Sequence, residues 1–449
     1  MNVSSVVRGV LGLLLILGIA FLFSNNRKRI SLRLVASGLS IQLVFAVFII
    51  YSDTLRGWFR PLGWPKGVIS WLGGAVVSLL NFTTEGSTFV FGRLAANSGP
   101  ESLGPFFAFQ VLPTIIFVAS LTSVLYYLGI LQMVVRGMAW FMARTMGTSG
   151  AESLSNTANI FVGQTEAPLL IRPYIGKMTN SEILTIMVGG MATIAGGVMA
   201  AYIQMLGQAW AAVHKIALHE AQIRFAVQLL AASVMAAPAS LVIAKILYPE
   251  TGDPETRGTV RLKVEKNASN VIEAAATGAG DGLGLALNVG AMLLAFIAGI
   301  TMINYLLTGL GGLLGVNAYL TAHFGQPLSL QLVLGVILRY LAIGIGVPVA
   351  DAFHFGSLFG TKIVLNEFVA YIDLVGLIKQ GVLSPKGITM ATYALCGFAN
   401  FSSIAIQIGG ISPMAPHRKT DISALGLKAV LGGALATLMT ATLAGILLG

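Results

Sequence analysis

Two glutamates lie inside apolar sequence, where a carboxylate needs a reason to be. Glu166 sits in Gly163-Gln164-Thr165-Glu166-Ala167-Pro168-Leu169, between Ile160-Phe161-Val162 and Leu170-Ile171; Glu367 sits with Lys362, Asn366 and Asp373 in the apolar stretch 356–377. An ionised carboxylate at mid-bilayer costs about 3 kcal/mol or more, so such an acid faces a water-filled cavity, a substrate path or a partner inside the bundle. Gln164, Thr165 and Glu166 are consecutive, and an α-helix would fan them about 100° apart, driving at least one against lipid or packed neighbours. An opened backbone is expected here, which membrane depth tolerates only where protein or a wet cavity surrounds it.

The elements that must position these acids are membrane helices. Mean hydropathy is +0.84, and 56% of the 449 residues are hydrophobic while only 10% are charged, against about 25% charged in a soluble globular chain. The net charge of +10 is spread along short loops with no basic block, which excludes a nucleic-acid patch and reads as cytoplasmic topology charge. The single cysteine, Cys396, excludes an intrachain disulfide and a cysteine-rich metal site.

Residues 10–23 read as a retained span, because the cations Arg27, Lys28, Arg29 and Arg33 follow the apolar run. The positive-inside rule then puts that cluster in the cytoplasm and the N-terminus outside. Further spans are expected at 34–51, 106–128, 183–205, 225–247, 283–307, 390–411 and 424–448, eight in all, with both termini external. Residues 58–81 mix Trp, Gly, Pro and Lys with apolar residues and read as an interfacial helix. Residues 151–175 and 356–377 fit no simple span and read as re-entrant hairpins, since an arm from Glu152 to Val162 covers only about 16 Å of a core about 30 Å thick.

Each hairpin precedes an interrupted hydrophobic segment. After Glu166 comes Gly189-Gly190-Met191-Ala192-Thr193-Ile194-Ala195-Gly196-Gly197-Val198, and after Glu367 comes Cys396-Gly397-Phe398-Ala399-Asn400-Phe401-Ser402-Ser403. Interrupted segments at matching places in two halves point to the binding site of a repeat-built secondary transporter, although glycines in membrane helices also serve close packing. The expected fold class is therefore an all-α polytopic membrane protein with two hairpins, interfacial helices and two broken helices in an inverted repeat.

These segments resemble the concentrative nucleoside transporters. The likeness is carried by Gly147-Thr148-Ser149-Gly150-Ala151-Glu152-Ser153, by Asn159 through Leu169, by Leu365-Asn366-Glu367-Phe368-Val369-Ala370-Tyr371 and by Cys396 through Ile404, and it extends from about Arg33 onward. The resemblance implies a homotrimer that carries nucleoside inward with Na+ by elevator movement of a transport part against a scaffold. Residues 1–135 and 249–330 would belong to the scaffold, and 136–248 and 331–449 to the transport part. It also implies that Gln164, Thr165, Glu166 and Val198 meet the base, that Glu367, Asn400 and Ser403 meet the ribose with Phe398 lining the pocket, and that Na+ sits on Asn159, Val162, Thr193 and Ile194. Amides, hydroxyls and carboxylates suit the edges of a base and the hydroxyls of ribose. No cofactor is implied, the surroundings are lipid, and a bacterial inner membrane is the expected location. Proton-coupled relatives tend to depart from Thr165-Glu166-Ala167-Pro168, so Na+ is the expected ion, with H+ as the alternative. One departure is Val349-Ala350-Asp351 after Gly346-Val347-Pro348, where many members have Trp followed by an acid.

Other signals are weaker. Gly278-Ala279-Gly280-Asp281-Gly282 precedes a span and lacks the strand a dinucleotide loop needs, so it reads as helix entry and close packing. The five histidines form no His-Glu-x-x-His pair. His354, near the second hairpin, is the one placed to titrate. An intramembrane enzyme using Glu166 and Glu367, or Ser402 or Ser403, lacks a nearby histidine base. A channel would need no selective polar pocket.

Overall fold

A computed structural model describes residues 3–52, 64–95, 106–258 and 268–448, and among them the regular structure is all helical apart from one isolated β-bridge between Ser149 and Arg257. The helices are α1 (Val3–Leu22), α2 (Leu32–Ile50), α3 (Trp64–Phe91), α4 (Leu112–Tyr127), α5 (Ile130–Met146), α6 (Gly150–Ala158), α7 (Asn180–Ala192) and α8 (Gly196–His214). They continue as α9 (Leu218–Leu247), α10 (Val271–Leu313), α11 (Leu330–Gly344), α12 (Ala352–Val364), α13 (Glu367–Gln380), α14 (Pro385–Leu395), α15 (Phe401–Ile411) and α16 (Lys419–Leu447).

Among the described residues, eight helical segments are long and apolar enough to cross a membrane, but they are not the same eight that the sequence predicts. Residues 390–411 drop out because they fold as two pieces of 11 residues each, α14 and α15. The segment Trp64–Ala95 joins instead. Where an interfacial helix is expected over 58–81, α3 runs unbroken for 28 residues to Phe91; residues 58–63 lie outside the described residues.

Burial divides the molecule into two kinds of helix. α7, α9 and α16 are enclosed almost all round, whereas α1, α2, α3 and α10 leave most of their residues at least partly exposed. A helix hydrophobic on every face is stable only against protein or lipid. On α10, 43 residues and about 64 Å long, Leu283, Leu287, Leu294, Tyr305 and Leu313 point outward, while Gly278 and Gly282 face α4. A Cβ at Gly278 would lie 2.8 Å from the Ala119 carbonyl, and one at Gly282 2.8 Å from the Ile116 Cα. The glycine cluster is thus a helix–helix contact inside α10, whose first turn begins at Val271.

Both expected hairpins are helical pairs with a tip. α6 opens on a capping box in which Ser149 and Glu152 satisfy each other's backbone N–H groups. The α-helix stops at Ala158, the chain opens from Asn159 to Glu166, and a 3₁₀ turn (Ala167–Ile171) and a short helix (Arg172–Ile175) return it. The second tip is tighter: α12 ends at Val364 and α13 starts at Glu367, with the Asn366 Oδ1 accepting from the Val369 N–H at 2.9 Å.

The interruption in the first half does not fall on its most glycine-rich residues. α7 continues through Gly189 and Gly190 to Ala192, and the chain breaks at Thr193-Ile194-Ala195. Gly189 packs against Asn156 of the first hairpin, so there the glycines allow approach and do not end the helix. In the second half the break is at Cys396 to Asn400, as the sequence predicts.

Candidate functional site

The two hairpin tips and the two breaks meet around one cavity of about 140 Å³. All eight residues singled out for substrate line it. Gln164, Thr165 and Glu166 come from the first tip, Val198 from the start of α8, Glu367 from the second tip, and Phe398, Asn400 and Ser403 from the second break. α10 closes one side with Leu285, Val289, Met292 and Leu293, which sequence reasoning did not assign.

Glu367 is held rigidly. Its side chain is 5% exposed, and its two oxygens accept from the Tyr202 hydroxyl at 3.0 Å and the Asn400 amide at 3.2 Å. The Asn400 Oδ1 caps α15, accepting from the Ser403 N–H at 2.9 Å and the Ser402 hydroxyl at 2.7 Å. Tyr202 is fixed in turn by stacking on Tyr371 at 4.2 Å and by an edge contact with Phe368 at 5.1 Å. The sequence carried no signal for Tyr202, an aromatic residue in an apolar helix. Glu166, by contrast, is exposed, and among the described residues its carboxylate makes no side-chain hydrogen bond. Gln164 bridges the halves by donating to the Ser403 hydroxyl at 3.3 Å.

The four residues considered for a cation belong to the first tip, Asn159 and Val162, and to the first break, Thr193 and Ile194. The Asn159 amide donates to the Ser155 carbonyl at 3.0 Å, which leaves its Oδ1 buried without a partner. The Thr193 hydroxyl donates back to the Gly189 carbonyl at 3.0 Å, and the Thr193 carbonyl accepts from the Phe398 N–H at 3.3 Å. Val162 and Ile194 offer only backbone carbonyls. An orphaned amide oxygen, a hydroxyl and the carbonyls of an interrupted helix are hard, neutral donors of the kind an alkali cation takes. The breaks themselves touch: a Cβ at Gly397 would lie 2.8 Å from the Met191 carbonyl, so only glycine passes there.

Three family models cover most of the chain: Na+ dependent nucleoside transporter N-terminus over residues 11–94, nucleoside recognition over 108–209, and Na+ dependent nucleoside transporter C-terminus over 228–445. The nucleoside permease NupC of Helicobacter pylori is 40% identical over 98% of this chain and 97% of its own length. The chain belongs to the concentrative nucleoside transporter family. That is a family of membrane symporters, not of enzymes. An uncharacterized transporter of Haemophilus influenzae is 45% identical over 99% of this chain and 98% of its own. Sodium/nucleoside cotransporter 1 of Mus musculus is 39% identical over 97% of this chain but only 63% of that longer protein. Among solved structures, CNTnw in an inward-facing substrate-bound state superposes with a TM-score of 0.83 at 40% identity, covering 99% of this chain and 98% of that one. An outward-facing state of the same transporter, carrying two substitutions, gives 0.86 at 40% identity, covering 99% and 98%.

Three charged clamps brace this concentrative nucleoside transporter away from the cavity. Lys245 on α9 pairs with Glu152 at 2.8 Å and Glu250 at 3.1 Å and donates to Ser181 at 2.9 Å; Ser149 donates to Glu182 at 2.5 Å. These bonds tie the starts of α6 and α7 to the end of α9. Burial pushes Glu250 up, but the Lys245 charge and donors from Thr179 and Gly252 outweigh it and hold the carboxyl below its usual range. In the second half, Asp351 accepts from the Ser384 N–H at 3.1 Å and from the Ser384 hydroxyl, fastening the start of α12 to that of α14. Fully buried Lys362 donates to the Ala394 carbonyl at 2.8 Å and the Thr437 hydroxyl at 3.0 Å, capping α14 just before its break.

Proposed function

We propose that this protein imports nucleosides together with Na+, by alternating access in which a transport part moves against a scaffold. The observation that carries the reading is the convergence of eight polar or pocket-lining residues from four separate elements on one cavity, with Glu367 fixed between Tyr202 and Asn400. Gln164, Thr165, Glu166 and Val198 meet the base; Glu367, Asn400 and Ser403 meet the ribose, with Phe398 beside them. Preset polar partners favour this class of ligand because an analogue lacking a matching group leaves them buried and unpaired.

The Na+ assignment rests on the unpartnered Asn159 Oδ1 and the oxygens of Val162, Thr193 and Ile194. Asn159 and Thr193 would hold the ion by side chain, Val162 and Ile194 by carbonyl. The two hairpins and two breaks form an inverted repeat, residues 1–135 and 249–330 serve as scaffold, and residues 136–248 and 331–449 move. Outward-facing apolar residues on α10 support a homotrimer in a bacterial inner membrane, with Arg27-Lys28-Arg29 cytoplasmic and both termini external.

Uptake of uridine into proteoliposomes tests the reading. Replacing Na+ by choline at constant pH abolishes concentrative uptake. Uptake that ignores Na+ and follows a pH gradient would assign the proton as coupling ion, and accumulation of a modified product would overturn transport altogether.

A further inference from the structure

Behind the cavity wall, one turn along α15 from Ser403, Gln407 is 0% exposed. Its amide nitrogen donates to the Met187 carbonyl of α7 at 2.9 Å and to the Gln164 Oε1 at 3.1 Å, while the Gln164 amide nitrogen donates to the Ser403 hydroxyl at 3.3 Å. Assigning O and N in an amide side chain is ordinarily ambiguous, but this chain of bonds has a fixed end. A backbone carbonyl only accepts. Gln407 must therefore turn its NH₂ toward Met187, and the second hydrogen of that NH₂ faces Gln164. Gln164 must answer with its oxygen. Reversing either amide sets N–H against N–H or oxygen against oxygen.

The consequence reaches the ligand. With its oxygen turned toward Gln407, Gln164 is held with its NH₂ on the Ser403 side, where one of the two hydrogens is used by the Ser403 hydroxyl. Gly190 makes the arrangement possible, since a Cβ there would lie 2.8 Å from the Gln164 Cβ and 2.9 Å from the Gln407 nitrogen.

We propose that Gln407 is a specificity-determining positioning residue, which locks Gln164 as a hydrogen-bond donor and so favours bases that present a carbonyl over bases that present an exocyclic amino group. The inference rests on the reading that Gln164 meets the base.

Equilibrium binding to the purified full chain tests it with two oxo/amino pairs, uridine with cytidine and inosine with adenosine. The wild type prefers the oxo member of at least one pair. In Gln407→Glu the buried carboxyl carries at most one proton, which the Met187 carbonyl takes, so Gln164 must turn its NH₂ inward and its oxygen to the cavity. The oxo-to-amino affinity ratio then shifts toward the amino member by about tenfold, the scale of one unpaired buried polar group. Gln407→Leu removes the lock and brings the ratio toward one, and it decides the matter should the Glu variant not fold. A wild-type preference for the amino members, or a ratio within about twofold of wild type in the folded variants, overturns the inference alone. A wild type that binds neither pair defeats the transport reading itself.

Discussion

The two halves of this transporter solve the same problem with different degrees of rigidity. In the second half, only two residues separate the helices: α12 ends, Leu365 and Asn366 turn the chain, and Glu367 begins α13 already clamped by Tyr202 and Asn400. In the first half the chain stays open from Asn159 to Glu166, and Glu166 is exposed without a side-chain hydrogen bond. A carboxylate fixed before the ligand arrives loses little entropy on binding it, whereas a free one must be ordered at that moment. The rigid half suits the invariant part of a ligand, and the open half suits the part that varies.

The largest expected effect separates the two acids. In Glu367→Gln the new amide oxygen can keep the Tyr202 bond, but its NH₂ then faces the NH₂ of Asn400; uridine uptake into proteoliposomes falls by about 100-fold. Glu166→Gln meets no such clash and loses about tenfold. Equal losses, with both proteins inserted and folded, would erase the contrast between the halves.

Tyr202→Phe sharpens it. The variant keeps the stacking on Tyr371 and removes only the hydroxyl that donates to Glu367, so the uridine dissociation constant rises about tenfold while the thermal midpoint stays near wild type. An unchanged dissociation constant would mean that Asn400 alone orients the carboxylate.

The smallest effect is at the braced end of the first half. Glu250 has a lowered folded-state pKa, so its stabilising contribution is present above the ordinary carboxylate value of 4.5 and is lost as pH falls through the lowered one. Glu250→Gln should be slightly less stable at pH 7 and show a flatter decline of thermal midpoint in acid. A decline as steep as wild type would place the acid sensitivity at another group.

Much of this was readable from residue type and order. Acids in apolar sequence marked both tips, and the residues picked out around them line one cavity. What escaped had no local signature. Tyr202 is one more aromatic residue in an apolar helix until the fold brings Glu367 to it, and Gln407 is one more amide until Met187 and Gln164 close on it. Within the interrupted segment 189–198, Gly189-Gly190 stays helical: glycine signals low helix propensity, yet in a tightly packed bundle close approach to Asn156 and Gln164 outweighs that cost of about 1 kcal/mol per residue. The helix ends instead at Thr193, an ordinary β-branched residue. The length of α3 was hidden by its Trp, Gly and Lys content, which lowers hydropathy without stopping a helix.

The bond from the Phe398 N–H to the Thr193 carbonyl joins a pocket residue to a residue of the proposed ion site through a single hydrogen bond. Such a strut gives two ligands a direct route to couple, and any interaction energy between them has no preferred direction. On the ion assignment proposed above, whatever factor Na+ adds to nucleoside affinity, bound nucleoside must add to Na+ affinity. Stoichiometric coupling would then require no moving relay, only that neither site reach its full strength while the other stands empty.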